Sequence, residues 1–259
     1  THMLLLYCEY LRRLRECGCT KRLTFIYNGA PQSGAGMFRK RGRVLRRGIC
    51  YVVGAGECGE LTLNPEIEDF VIAVDGGYEN LKGQRIDLVV GDFDSLPYVP
   101  DHPRVIRLKP EKDDTDMLAA IREGLALNCR EFLIYGGLGG RLSHTVANLQ
   151  CLNFLKNQGA RGCLVGERVL ILLARQETIT FPEKWQGYLS LFCFGERAEG
   201  VTIRDMKYLL DGAVLTNEFP IGVSNEFIGK AGRVTVEKGT LLIVVERMQG
   251  DHLGWECEI

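Results

Sequence analysis

The chain has 259 residues, 46% apolar and 25% charged, with 31 Gly, 8 Pro and a formal net charge of −1. That usage excludes a disordered, fibrous or collagen-like chain and leaves room for one large domain or two modest ones. The longest purely aliphatic run, Leu241 to Val245, is too short to span a bilayer, so no membrane partner is expected.

The first 47 residues differ from the rest. They hold 11 Lys or Arg against Glu9 and Glu16, which leaves 21 basic and 31 acidic residues beyond them. Thr1-His2-Met3 reads as a vector remnant before a start methionine, and Leu4-Leu5-Leu6 meets Glu9 too soon for a signal peptide. A short helix is expected over 4–14 and a loop over 28–36. The cationic run from Arg39 to Arg47 has no interleaved aromatics to stack on bases, so it is read as a flexible or upstream-start extension and not as a nucleic-acid contact. Ten cysteines without a C-x-x-C pair or regular spacing point to reduced thiols and a cytoplasmic setting.

From Gly48 the pattern changes to short apolar runs that end in glycine or acid. Ile49–Val53 leads to Gly54-Ala55-Gly56, Phe70–Val74 to Asp75-Gly76-Gly77, and Ile86–Val90 to Gly91-Asp92-Phe93-Asp94-Ser95. Val105–Leu108 leads to Lys109-Pro110, and Phe132–Tyr135 to Gly136-Gly137-Leu138-Gly139-Gly140-Arg141. Near-continuous apolar strands of this length suit a sheet covered on both faces. Helices are expected over 115–127, with Asp113 or Asp114 as N-cap, and over 143–158, with Val146, Leu149 and Leu152 on the buried face. Strand–helix alternation predicts a parallel α/β sheet, whose ligands bind beyond the carboxyl ends of the strands.

Those ends carry the chemistry. In Asp92-Phe93-Asp94 an extended backbone would send both carboxylates to one side, as hard oxygen donors that suit Mg²⁺. Lys112-Asp113-Asp114-Thr115-Asp116 opens a helix with more acids than capping requires, which makes Asp116 or Asp113 a second metal-facing group. Asp75 adds a carboxylate at a strand end. Gly139 and Gly140, with the helix that follows and Arg141, form the phosphate-side candidate, and His144 could donate to phosphate or base. Beyond Thr178 the chain reads as short strands punctuated by Gly and Pro, as in a sandwich: 178–181, 188–194, 201–203, 212–216, 233–237 and 241–246. Trp185, Tyr188, Phe192 and Phe194 read as core.

Taken in order, Asp75-Gly76-Gly77, Gly91-Asp92-Phe93-Asp94-Ser95, Lys112-Asp113-Asp114-Thr115-Asp116 and Gly136–Arg141 resemble the motifs of thiamine pyrophosphokinases. Gly200-Val201-Thr202, Met206–Leu210 and Gly222–Phe227 extend the resemblance over about residues 50–247. It implies an α/β, Rossmann-like ATP- and Mg²⁺-binding catalytic domain over 48–174. A smaller β-sandwich domain over 175–259 would supply the thiamine pocket and the dimer interface. It further implies transfer of the pyrophosphoryl group of ATP to the hydroxyl of thiamine by a homodimer, with AMP as the second product. Carried over, Asp92, Asp94 and Asp116 would hold Mg²⁺ and triphosphate, and Arg141 would grip phosphate. Asp75, Gly76, Lys112, Asp113, Gly139, Gly140 and His144 would complete the nucleotide site, while Tyr208 would stack on the pyrimidine beside Ser224 and Asn225. One position departs: relatives carry Asp where this chain has Ser143, which keeps a hydrogen-bonding hydroxyl but no charge. That departure leaves two other readings open, a thiamine-binding sensor and a pyrophosphokinase for another heterocyclic alcohol.

Overall fold

A computed structural model of the chain describes residues 26–27, 48–109 and 114–247. The helix expected over 4–14, the loop over 28–36 and the cationic run of 39–47 lie outside the described residues. So do Lys112 and Asp113.

Six parallel strands lie in the order β5-β4-β3-β2-β6-β7: β2 (Ile49–Val53), β3 (Phe70–Val74), β4 (Leu88–Gly91), β5 (Val105–Arg107), β6 (Glu131–Tyr135) and β7 (Arg161–Val165). Every residue of β2, β3 and β4 is buried, because side chains alternate between two separately packed faces. On one face Cys50, Val52, Ile72 and Phe132 meet helices α2 (Asp116–Ala126) and α3 (Leu142–Asn157). On the other, Tyr51, Val53, Val71 and Val89 pack with Leu63, Leu81 and Phe93. A single-turn helix, α1 (Gly77–Asn80), follows β3.

Two helix details correct the sequence reading. The N-cap of α2 is Thr115, whose hydroxyl accepts the Leu118 N–H at 3.2 Å, while Asp114 pairs with Arg122 at 2.6 Å. Helix α3 buries Asn148, Cys151, Leu152 and Leu155, a stripe at i, i+3, i+4 and i+7, and leaves Val146 exposed.

Strand β8 (Val169–Thr180) reverses the sheet by pairing antiparallel with β7. It then runs along β13 (Arg233–Glu246) for nearly its full length. The other edge of β13 is shared. Arg233 to Lys238 face β10 (Arg197–Arg204), and Leu241 to Glu246 face β9 (Tyr188–Cys193). The ladder breaks between Val236 and Thr240, where Gly239 sits at φ +84°, so the two partners diverge from there. Beyond them β11 (Leu210–Thr216) pairs with β10, and β12 (Asn225–Glu226) with β9. The result is an α/β fold built on one mixed, continuously hydrogen-bonded sheet. The division expected between 174 and 175 falls inside β8.

A short strand, β1 (Ile26–Tyr27), pairs with Thr180 and Ile179 at the end of β8, within the stretch expected to be an extension. The polar side of β8 is tied to α3. Arg175 donates to Asn153, Asn157 and Thr240, and Glu177 forms a largely buried ion pair with Lys156. Trp185 packs against Phe181 and Phe227 as core, with ring centroids 5.7 and 6.0 Å away. Tyr188 and Phe192, also expected in the core, are each 36% exposed because they alternate outward along an outer strand.

Candidate active site

The carboxyl ends of β2, β3, β4 and β6 open on one cleft of about 500 Å³. Asp75, Asp92, Asp94, Ser95, Asp116, Gly139, Gly140, Arg141 and His144 all line it, and Gly76 sits beside Asp75. The strand order explains the convergence: β3 pairs with β4 on one side and β2 on the other, and β2 pairs with β6.

Close backbone packing shapes the floor. A side chain at Gly77 would place its Cβ 1.9 Å from the Val53 carbonyl, and one at Gly136 would lie 2.3 Å from that of Gly54. Only glycine lets these turns stack against one another. The Gly54-Ala55-Gly56 turn is held by Gly56 N–H on the Gly136 carbonyl at 3.0 Å. Asn80 adds a second tie, its amide donating to the carbonyls of Gly54 at 3.0 Å and Gly56 at 3.4 Å. On the other wall Asn148, buried in α3, donates to the Gly137 carbonyl at 2.7 Å. Sequence reasoning missed both asparagines.

Asp75, Asp92 and Asp94 bring carboxylate oxygens within 4.8 Å of one another. Asp116 lines the same cleft but stands outside that tight group. The extended backbone expected for Asp92-Phe93-Asp94 is corrected: Phe93 is left-handed at φ 63°, its ring buried, and the two aspartates flank it. Asp94 N–H donates to Asp92 Oδ1 at 3.2 Å. The charge of Asp92 raises the Asp94 carboxyl above its ordinary value, with lost hydration, Asp75 and Asp116 adding in the same direction. The Asp92 and Asp94 oxygens, under mutual repulsion, are fitting donors for a hard divalent cation.

Arg141 ends the glycine loop at the N-cap of α3 without a side-chain cap, and His144 follows in the first turn. Both border the cleft at a helix end that favours anions. Ser143 is exposed in the same turn and does not line the cleft, so the departure from the family pattern falls beside it.

Tyr208, Ser224 and Asn225 lie elsewhere. None of the residues lining the cleft belongs to the antiparallel part of the sheet. Tyr208 is 58% exposed, and its backbone N–H and carbonyl are bracketed by the amide of Asn225 at 2.9 and 2.7 Å. Asn225 itself is buried, and Ser224, left-handed at φ 58°, donates its N–H to the Ser190 hydroxyl at 3.1 Å. Lys207 lies over the Tyr208 ring at 5.5 Å and pairs with Glu226 at 2.6 Å, while Leu209 and Val223, next in sequence to Tyr208 and Ser224, are exposed.

Comparison with known proteins shows the family and the fold. The family model of the thiamin pyrophosphokinase catalytic domain matches residues 65–164, and that of the vitamin B1 binding domain matches residues 176–241. A thiamine pyrophosphokinase of Bacillus subtilis is 25% identical over 169 residues, which cover 60% of this chain and 75% of that protein. The crystal structure of a thiamin pyrophosphokinase from Geobacillus thermodenitrificans superposes with a TM-score of 0.69 at 25% identity, covering 79% of this chain and 100% of that one. A thiamin pyrophosphokinase family protein from Enterococcus faecalis gives 0.65 at 27% identity, covering 78% of this chain and 99% of that one.

Proposed function

The chain belongs to the thiamin pyrophosphokinase family, and we propose that its acidic cleft is where it transfers the pyrophosphoryl group of ATP to the hydroxyl of thiamine. The products are thiamine diphosphate and AMP. The observation that carries this placement is the convergence of the Asp75, Asp92 and Asp94 carboxylates with the 136–141 glycine loop on one cleft.

Asp92 and Asp94, with Asp116 across the cleft, would hold Mg²⁺, which when bound screens the negative charge of the triphosphate. Arg141 and His144 hold phosphate oxygens, and the exposed backbone of Gly139 and Gly140 lets the triphosphate approach closely. The thiamine hydroxyl oxygen attacks the β-phosphorus and gives up its proton to water, the bond from that phosphorus to the α-phosphate oxygen breaks, and AMP departs. Reactions of this kind ask for alignment and charge neutralisation more than for covalent help from the protein.

The thiamine side is supplied by a second copy of the chain. Tyr208 and Ser224 are exposed on the antiparallel half, with exposed Leu209 and Val223 next to them in sequence, and that half lends nothing to its own cleft. Large apolar side chains left exposed beside a charged pair suit a surface that another chain covers. The Tyr208 ring would stack on the pyrimidine, with Ser224 at its edge and Asn225 behind it. In this reading a nucleotide-binding parallel half works with the sandwich-like half of its partner. No helix among the described residues is long and apolar enough to cross a membrane, and the setting we propose is the cytoplasm.

Incubation with ATP, Mg²⁺ and thiamine should release AMP and thiamine diphosphate in equal amounts. AMP release no greater than in a blank without protein refutes the reading.

A further inference from the structure

We propose that Asp75 is a positioning residue: its carboxylate sets the turn that carries Asp92 and Asp94 and is not itself a ligand of the cation they would hold. The inference rests on the reading of the cleft as a site for a divalent cation and a triphosphate.

Both oxygens of Asp75 are engaged by that turn. Oδ1 accepts the Phe93 N–H at 3.0 Å, and Oδ2 accepts the Ser95 hydroxyl. Asp75 is fixed in its turn, its own N–H donating to the Val90 carbonyl at 2.9 Å. A Cβ at Gly91 would lie 3.0 Å from the Asp75 Cα, so the two strand ends are in backbone contact. Asp75 and Phe93 both occupy left-handed backbone, at φ 50° and 63°, a conformation that side-chain-bearing residues adopt only when their surroundings impose it.

What imposes it on Phe93 is a pull from two sides. The ring is anchored in the core at 5% exposure, and the amide is held by Asp75. With its centre pinned, the turn can only present Asp92 and Asp94 outward on either side, toward the cleft. The bonds to Phe93 and Ser95 face the Asp75 carboxylate into the turn, and they keep two mutually repelling carboxylates close together before any cation arrives.

The isostere separates the two roles. In Asp75→Asn the side-chain oxygen can still accept from Phe93, and the new amide can donate to the Ser95 oxygen, so the clamp survives while the charge is lost. Two readouts are needed: hydrogen exchange at the Phe93 amide, and Mn²⁺ titration by electron paramagnetic resonance with a non-hydrolysable ATP analogue present. We expect Asp75→Asn to keep the Phe93 amide protected and, because a nearby charge is lost, to weaken Mn²⁺ by up to about tenfold, well short of the loss in Asp92→Asn. Asp75→Ala should lose protection and weaken Mn²⁺ by about a further tenfold, as loss of a supporting group does. If Asp75→Ala does not fold, Ser95→Ala removes half the clamp and should speed Phe93 exchange by itself. Asp75→Asn weakening Mn²⁺ as much as Asp92→Asn, with Phe93 still protected, would make Asp75 a ligand and overturn the proposal. Unchanged Phe93 exchange in both Asp75→Ala and Ser95→Ala overturns it too. Should Asp92→Asn leave Mn²⁺ affinity intact, the cation reading of the cleft fails, and Phe93 exchange still decides whether the clamp exists.

Discussion

The parallel and antiparallel halves present their functional candidates in opposite directions. In the parallel half, acids and cations from four separate stretches of chain turn inward on one cleft, held by left-handed backbone at Asp75 and Phe93. In the antiparallel half, Tyr208 and Ser224 are exposed to solvent, and the backbone of Tyr208 is braced from behind by the buried amide of Asn225. The first arrangement is finished within one chain. In the proposed reading the second is completed by another chain, and under that reading the two halves should fail in different ways when perturbed.

Asp92→Asn should have the largest effect, lowering kcat on the order of 10²-fold or more by removing preorganised charge from the reacting groups. Steady-state AMP release measures it, with circular dichroism to show that the fold survives; full activity would remove Asp92 from the site. A charge on the outer surface, Leu209→Lys, should cost about tenfold in activity at low protein concentration, with the sedimentation coefficient falling to that of a monomer. Loss of activity without any change in sedimentation would break the contrast between the halves. Tyr208→Ala should raise KM for thiamine about three- to tenfold, the scale of one aromatic stacking contact, and leave KM for ATP unchanged. Tyr208→Phe should restore it.

The smallest effect concerns stability. The neighbouring Asp92 charge raises the Asp94 carboxyl, so this repulsion is absent while Asp94 is protonated and sets in as pH rises through its folded value. Without metal, Asp92→Asn should therefore melt slightly above wild type at neutral pH, and the gain should vanish below the ordinary carboxylate range. Differential scanning calorimetry across pH checks the sign, and added Mg²⁺ should narrow the gap from the wild-type side.

Much of the parallel half was legible because burial on both faces leaves unbroken apolar runs, as in β2, β3 and β4. Strand β7 escaped notice: Arg161-Gly162 opens it, and Gly162 lies where Leu155 and Leu152 of α3 leave no room for a side chain. The first part of β8 escaped as well, and Arg175-Gln176-Glu177 then looks like a boundary although the strand continues through it. Those three polar residues are explained by partners distant in sequence, Asn153, Lys156 and Asn157 of α3 for the arginine and glutamate, and an irregular, left-handed backbone at Gln176. The motifs indicated which acids gather, but not their geometry. Asp75 joins Asp92 and Asp94 because β3 and β4 are hydrogen-bonded neighbours, whereas Asp116 opens a helix on the far wall. Asn80 and Asn148 bind only backbone carbonyls, a role that leaves no trace in spacing or composition.

Strand β8 bears on how the molecule could be divided. Leu170 to Leu172 pair with β7 on one edge, while on the other edge all but a short break of its twelve residues pairs with β13. A fragment ending at residue 174 would therefore carry half a strand and expose unpaired backbone along its last edge, the kind of edge that recruits other chains. Neither half can be exchanged as a cassette with a cut at that point. The whole of β8 and its partner β13 must travel together, and the two halves should open to solvent exchange as one cooperative unit.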